Sequence, residues 1–138
     1  MNIYFDNAAT TKVDDKVLDE MLPYFNILYG NPSSNNSCGR TIKDNIEQSR
    51  LILAETLNCT PNEIIFTSGA TEGNNLIIKS CEELCSEMEE PSHFIFSEIE
   101  HKSILTLQEY LENRGHEVDL ISVLPNGIVD LNDLENLL

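Results

Sequence analysis

Apolar residues fall at helical spacing over residues 13–25, where Val13, Val17, Leu18, Met21, Leu22 and Phe25 share one face. Asp14 and Asp15 stand at the N-terminal end of this helix, where the backbone dipole favours negative charge. Gly30-Asn31-Pro32-Ser33-Ser34 stops it, and Asn35, Asn36 and Ser37 lengthen the turn-forming run. A second helix is predicted from about Arg40 to Leu57, with Ile42, Ile46, Ile52 (or Leu53) and Leu57 facing inward. The pattern then changes character. Glu63-Ile64-Ile65-Phe66-Thr67 is a short β-branched and aromatic run, which reads as a buried strand. Ser68-Gly69-Ala70-Thr71-Glu72 leads from it into a helix through Leu84. His93 to Ser97 reads as another strand, and a helix follows from about Lys102 to Asn113, closed by Gly115. Val118 to Val123 reads as a third strand, Pro125-Asn126-Gly127 as a turn, and Leu131 to Leu138 as the beginning of a helix.

Strands alternating with helices imply an α/β fold with a largely parallel sheet. No internal repeat or low-complexity linker interrupts it. Three strands are few for a doubly wound sheet, so the last helix is expected to lead on to further strands. The chain therefore reads as a truncated part of a larger fold.

Charge narrows the partners. Twenty-four acidic residues against eight basic ones give a net charge of -16 over 138 residues. Such a surface repels phosphate backbones and anionic lipid heads, which argues against nucleic acid and membrane as partners. No stretch has the basic start or the apolar length of a targeting signal or a membrane span, so a cytoplasmic location is expected. Cysteines at 38, 59, 81 and 85 form neither a disulfide framework nor a zinc-ligand spacing, and no metal site is expected. Cys81 and Cys85 share a helix face and read as reduced structural thiols.

The strand-turn-helix around Gly69 carries the first candidate chemistry. A helix start presents free N–H groups and the positive end of its dipole, and a glycine lets an anion approach closely. Ser68 and Thr71 add hydroxyl donors. The segment is not a dinucleotide fingerprint, lacking G-x-G-x-x-G, and not a Walker loop, lacking G-K-[ST]. On local physics it stays open between a capped helix start and an anion site.

Four segments taken together resemble the cysteine desulfurases, of the class V aminotransferase group with fold type I. They are Tyr4-Phe-Asp-Asn-Ala-Ala-Thr-Thr11, Tyr29-Gly-Asn-Pro-Ser-Ser34 with Gly39-Arg40, Phe66 to Asn75, and Glu98-Ile-Glu-His101-Lys-Ser-Ile. They occur in the family's order at closely similar spacing, and the likeness extends to Asn126-Gly127-Ile-Val-Asp130-Leu. The resemblance implies an N-terminal helical segment (1–30) and the first part of the pyridoxal-phosphate-binding large domain (31–138). It implies pyridoxal 5'-phosphate as cofactor, with Ala70 and Thr71 holding its phosphate. It implies that His101 stacks on the pyridine ring and helps to move protons, a role suited to an aromatic group that titrates near neutrality.

The family's reaction converts L-cysteine to L-alanine and passes sulfur, as an enzyme persulfide, to an acceptor or scaffold protein for iron–sulfur cluster assembly or tRNA thiolation. Its members are homodimers. The cofactor-anchoring lysine and the sulfur-carrying cysteine match nothing in this chain. Lys102 follows a histidine, but its context is that of the ring-stacking motif, and an exposed helix-start position is expected. Lys12, Lys16, Lys43 and Lys79 have no suitable context, and Cys38 in its turn-rich loop is not assigned a catalytic role. His93 and His116 match no functional position and read as structural or surface residues. Asn36 departs from the family, which usually has histidine there. The isolated chain is thus expected to be inactive. Two other readings are a related class V aminotransferase or selenocysteine lyase, and a non-catalytic binding protein or split-enzyme subunit.

Overall fold

The computed structural model describes residues 3–87 and 92–138. The chain divides into two compact units, one ending at Ile65 and the other beginning at Phe66.

The first unit is helical. Helix α1 (Asp15–Met21) is capped by Asp14, whose carboxylate accepts from the Lys16 N–H at 2.9 Å. The periodicity of residues 13–25 predicts one helix, but Pro23 divides it. Without an N–H to donate, proline cannot continue α1; it instead opens α2 (Pro23–Asn26) at the first helical position. Helix α3 (Ser37–Leu57) begins three residues before the predicted Arg40, because the Asn36 side chain accepts from the Gly39 N–H at 2.8 Å. The Asn31–Ser34 turn closes tightly on this helix start. A Cβ on Gly39 would lie 2.4 Å from the Ser34 carbonyl oxygen and 2.5 Å from that of Asn31, so only glycine fits. Asn58, in the left-handed conformation (φ 56°), ends α3.

Residues 64–67 correct the predicted strand. A short 3₁₀ turn (Pro61–Glu63) precedes them, and Ile64 is extended (φ -94°, ψ 117°), but no strand forms over 64–67 among the described residues. A β-branched, aromatic run supplies the conformation; a ladder also needs a neighbouring strand.

The second unit holds the sheet. Helix α4 (Ala70–Glu87) follows Gly69, and β1 (His93–Ser97) occupies the predicted residues. A tight turn leads to α5 (Lys102–Leu105) and α6 (Gln108–Glu112), which divide the single helix predicted for this stretch. At the break the Leu107 N–H bonds to Ile104, three residues back, and the Thr106 hydroxyl donates to the Lys102 carbonyl at 2.7 Å. Gly115 (φ 90°) then reverses the chain into β2 (Glu117–Ile121), which pairs in parallel with β1, His93 opposite Glu117 and Ser97 opposite Ile121. A turn at Gly127 (φ 80°) precedes α7 (Leu131–Leu137), capped by Asp130. Parallel pairing with a helical crossover is the expected α/β arrangement, here with two strands among the described residues where three were predicted.

The apolar core of this unit is small: Leu107, Leu111 and Ile121 are its buried hydrophobic side chains among the described residues. Many other large apolar groups lie on the surface, among them Phe5, Phe25, Ile52, Ile77 and Leu84.

Candidate functional site

The predicted cradle and the predicted histidine both belong to the second unit, at the ends of elements where α/β folds place ligands. Helix α4 is eighteen residues long, and its first-turn N–H groups, those of Ala70 and Thr71 among them, have no partner within the helix. Gly69 precedes them at φ 157°, a conformation that residues with a Cβ rarely adopt, and nothing lies within 4 Å of where a Cβ would stand. The backbone there is bare and open, which fits a phosphate group.

Ser68 does not offer the free hydroxyl the sequence suggests. Its Oγ–H donates to Glu72 Oε2 at 2.6 Å, and its N–H donates to the same oxygen at 2.7 Å. The Ser68 hydroxyl first, and its N–H second, hold the Glu72 carboxyl below the usual carboxylate range. Glu72 thus caps the entry to α4, and of the two hydroxyls the sequence suggests for a phosphate, Ser68 is already engaged.

His101 follows the turn that leaves the end of β1. The Glu98 N–H donates to the Ile121 carbonyl at 3.0 Å, and the Glu98 carboxylate accepts from the Val123 N–H at 3.0 Å, so the turn after β1 is pinned to the end of β2. His101 then caps α5. Its Nδ1 accepts from the Ser103 N–H at 3.1 Å and lies 2.9 Å from Ser103 Oγ. Ser103 is buried, and its Oγ accepts from the Asn74 amide at 3.0 Å. Asn74 is one turn into α4, so a chain of hydrogen bonds joins His101 to the helix whose start is the candidate cradle. Sequence reading missed Asn74 and Ser103. The available signal was a polar side chain one helical turn after the cradle and another two residues after the histidine.

The remaining candidates lie elsewhere. Lys102 is exposed, as expected. His93 is at the opposite end of β1 from His101, its Nε2 2.9 Å from Asp119 Oδ2, and it stands opposite Glu117 on the neighbouring strand; one polar atom of each of the three groups lies within 4.8 Å of the others. His116 is buried. It accepts from the Ser92 N–H through Nδ1 at 3.1 Å and lies 3.4 Å from Glu82 through Nε2.

Glu82 is the polar centre of the unit, 1% exposed. It accepts from Arg114 Nε at 2.6 Å, from the Ser86 hydroxyl at 2.8 Å and from the Tyr110 hydroxyl at 3.1 Å. The Arg114 guanidinium, then Ser86, hold its carboxyl down to about 2 against an ordinary 4.5, while burial opposes them. Cys38 lies in the first turn of α3, beside a hollow of about 140 Å³ lined with Ile27, Tyr29 and Ile42. That volume is below the roughly 300 Å³ at which ligand pockets begin. The four cysteines are free thiols.

Comparison with known proteins places this geometry in context. The family model described as Aminotransferase class-V matches residues 3–138. The chain is 43% identical to the mitosomal cysteine desulfurase of Trachipleistophora hominis over 134 residues, 96% of this chain and 30% of that protein. It is 40% identical to the cysteine desulfurase IscS of Neisseria gonorrhoeae, over 96% of this chain and 33% of that protein. The chain thus spans about a third of the length of the curated relatives it matches. Among solved structures, a NifS-like protein superposes with a TM-score of 0.91 at 40% identity, covering 100% of this chain and 37% of that one. SspA, solved in complex with cysteine, gives a TM-score of 0.77 at 41% identity over 86% of this chain and 34% of its own.

Proposed function

The chain belongs to the class-V aminotransferase family, and from that premise we propose that it forms the cofactor-phosphate and histidine region of a cysteine desulfurase. Enzymes of this family depend on pyridoxal 5'-phosphate. When bound, the cofactor serves as a sink for the electron pair left as a proton departs from the substrate's α-carbon.

This chain's residues have three tasks in that reading. The N–H groups of Ala70 and Thr71, with the Thr71 hydroxyl, hold the phosphate at the N-terminus of α4. His101 covers the ring and moves a proton. Gly69 keeps the backbone bare at the point of approach. The observation that carries the proposal is the hydrogen-bonded link from α4 through Asn74 and Ser103 to His101, which ties the two candidate groups to one another.

The overall reaction is conversion of L-cysteine to L-alanine, with the sulfur carried as a persulfide on an enzyme cysteine and handed to an acceptor protein. The anchoring lysine and sulfur-carrying cysteine are assigned to parts of the fold outside residues 3–138. The exposed Phe5, Phe25, Ile52, Ile77 and Leu84 support this assignment, since further sheet and helices of the same fold would cover such groups.

The test is a chimera in which residues 3–138 replace the matching third of the Neisseria enzyme. A folded chimera that binds the cofactor and releases alanine from cysteine is expected. His101→Ala in it should lower turnover by about a hundredfold, and Thr71→Val should weaken cofactor retention. A folded, cofactor-loaded chimera in which His101→Ala keeps full activity refutes the role given to that residue. The 138-residue chain alone should show no desulfuration, and borohydride should trap no stable cofactor adduct on a single lysine. An adduct on Lys102 would refute the assignment of the anchoring lysine to another part of the fold.

A further inference from the structure

The hydrogen bonds around His101 decide which of its nitrogens carries the proton. A backbone N–H can only donate, and the Ser103 N–H points at Nδ1 from 3.1 Å. Nδ1 is therefore an acceptor, and the neutral ring carries its proton on Nε2. The Ser103 hydroxyl is consistent with this. Its oxygen accepts from the Asn74 amide at 3.0 Å, which leaves its own hydrogen to donate to Nδ1 at 2.9 Å. Ser103 is 7% exposed, so water does not compete freely for its hydroxyl, while the His101 ring beside it is exposed. The Asn75 amide, donating to the Thr71 carbonyl at 2.9 Å, also lies 3.5 Å from the Ser103 carbonyl and adds a second tie between α4 and α5.

We propose that Asn74 and Ser103 are positioning residues: they fix His101 as the Nε2–H tautomer and couple it mechanically to the N-terminal turn of the cradle helix. Neither touches the reacting atoms. Their effect is that the ring presents one defined nitrogen, Nε2, for proton transfer, and that α4 and His101 move as one body. The functional meaning rests on the role proposed for His101; the tautomer does not.

The test is therefore made on the chain itself. With nitrogen-15-labelled histidine at about pH 9, well above the ordinary histidine range, long-range proton–nitrogen correlation spectra distinguish the two tautomers for His93, His101 and His116. A His101→Asn variant assigns the signal. The expected result is a dominant Nε2–H pattern for His101. Ser103→Ala removes one of the two donors and should lower the Nε2–H to Nδ1–H ratio roughly three- to tenfold. Asn74→Asp keeps the volume but turns a donor into an acceptor, draws the Ser103 hydrogen away from His101, and should lower the ratio similarly. Ser103→Thr retains the hydroxyl and should restore it.

An Nδ1–H or evenly mixed His101 in the parent chain overturns the proposal. An unchanged ratio in Ser103→Ala also overturns it, and an unchanged ratio in Asn74→Asp removes Asn74 from it. Unaltered His93 and His116 signals establish that each variant keeps its fold. Because these spectra need no cofactor, a failed chimera with an intact tautomer would refute the catalytic reading alone.

Discussion

Two glycines four residues apart in the cradle segment should respond to the same substitution with opposite sign. Gly69 has φ 157°, and a Cβ there would meet nothing within 4 Å. The methyl of Gly69→Ala therefore has room, and its cost is one of backbone conformation, about 1–3 kcal/mol. Gly73 lies inside α4, at no positive φ, and its Cβ would stand 3.8 Å from Thr67 Oγ1, an ordinary contact. Gly73→Ala keeps the helical conformation and removes freedom from the unfolded chain, a gain of about 0.5–1 kcal/mol. The two variants should thus differ by at least about 1.5 kcal/mol, roughly a tenfold difference in the ratio of folded to unfolded chain. Urea denaturation followed by far-UV circular dichroism measures both. Equal slopes in urea are required, so that the midpoints report stability and not a change in exposed surface. Midpoint shifts of the same sign in both variants would refute the argument, because backbone conformation would then not be what separates the two positions.

Glu82 should make the second unit acid-sensitive in a defined window. Its carboxyl titrates lower in the folded chain (about 2) than when free (4.5), so its stabilisation is present above about 4.5 and lost as pH falls toward about 2. Glu82→Gln should melt at a lower temperature at pH 7 and should show a flatter dependence of melting temperature on pH across that window. A parallel pair of curves would mean that Glu82 is not the titrating group. Leu111 is fully buried, and Leu111→Ala should destabilise by about 3 kcal/mol, from lost transfer energy plus the cavity left behind. Urea titration checks this, and a loss below about 1 kcal/mol would show that the site collapses around the smaller side chain.

Elements specified by their own neighbours were legible in the sequence. The β1 strand matches its predicted bounds, and Gly115, read as closing a helix, and Gly127, read in a turn, both take positive φ. The reading failed where a local signal was overlooked or where a distant partner decides. Pro23 sits inside a good apolar periodicity, and the periodicity hid the break. Asn36 reads as part of the turn-forming run and as a departure from the family pattern, although an asparagine ahead of an apolar-periodic stretch is also a helix-cap signal in its own right. The run at 64–67 has strand composition, but composition cannot supply the neighbour that a ladder needs. At the candidate site, the motifs point to Ala70, Thr71 and His101; Asn74 and Ser103 lie in the same segments, but their hydrogen bond joins residues far apart in the chain, which the motifs do not pair.

Those holding side chains share a physical character. Asn74 and Ser103 are 29 residues apart in sequence, and Glu82 and Arg114 are 32 apart. Both pairs start on α4, one near its N-terminus and one two turns further on, and both end in the segment that follows β1. Helix α4 is therefore clamped at two points by polar bonds, while the buried apolar core beside it consists of Leu107, Leu111 and Ile121. Apolar packing of so few side chains excludes water but sets direction weakly, whereas a hydrogen bond to a buried group is demanding in distance and angle. The two clamps need not fail together. Loss of the Glu82 clamp removes charge-assisted bonds from the middle of the unit and should be read mainly in stability. Loss of the Asn74–Ser103 clamp removes neutral bonds close to the surface. It should leave the fold standing and be read at His101, in the tautomer of the ring and in its hold on the cradle helix.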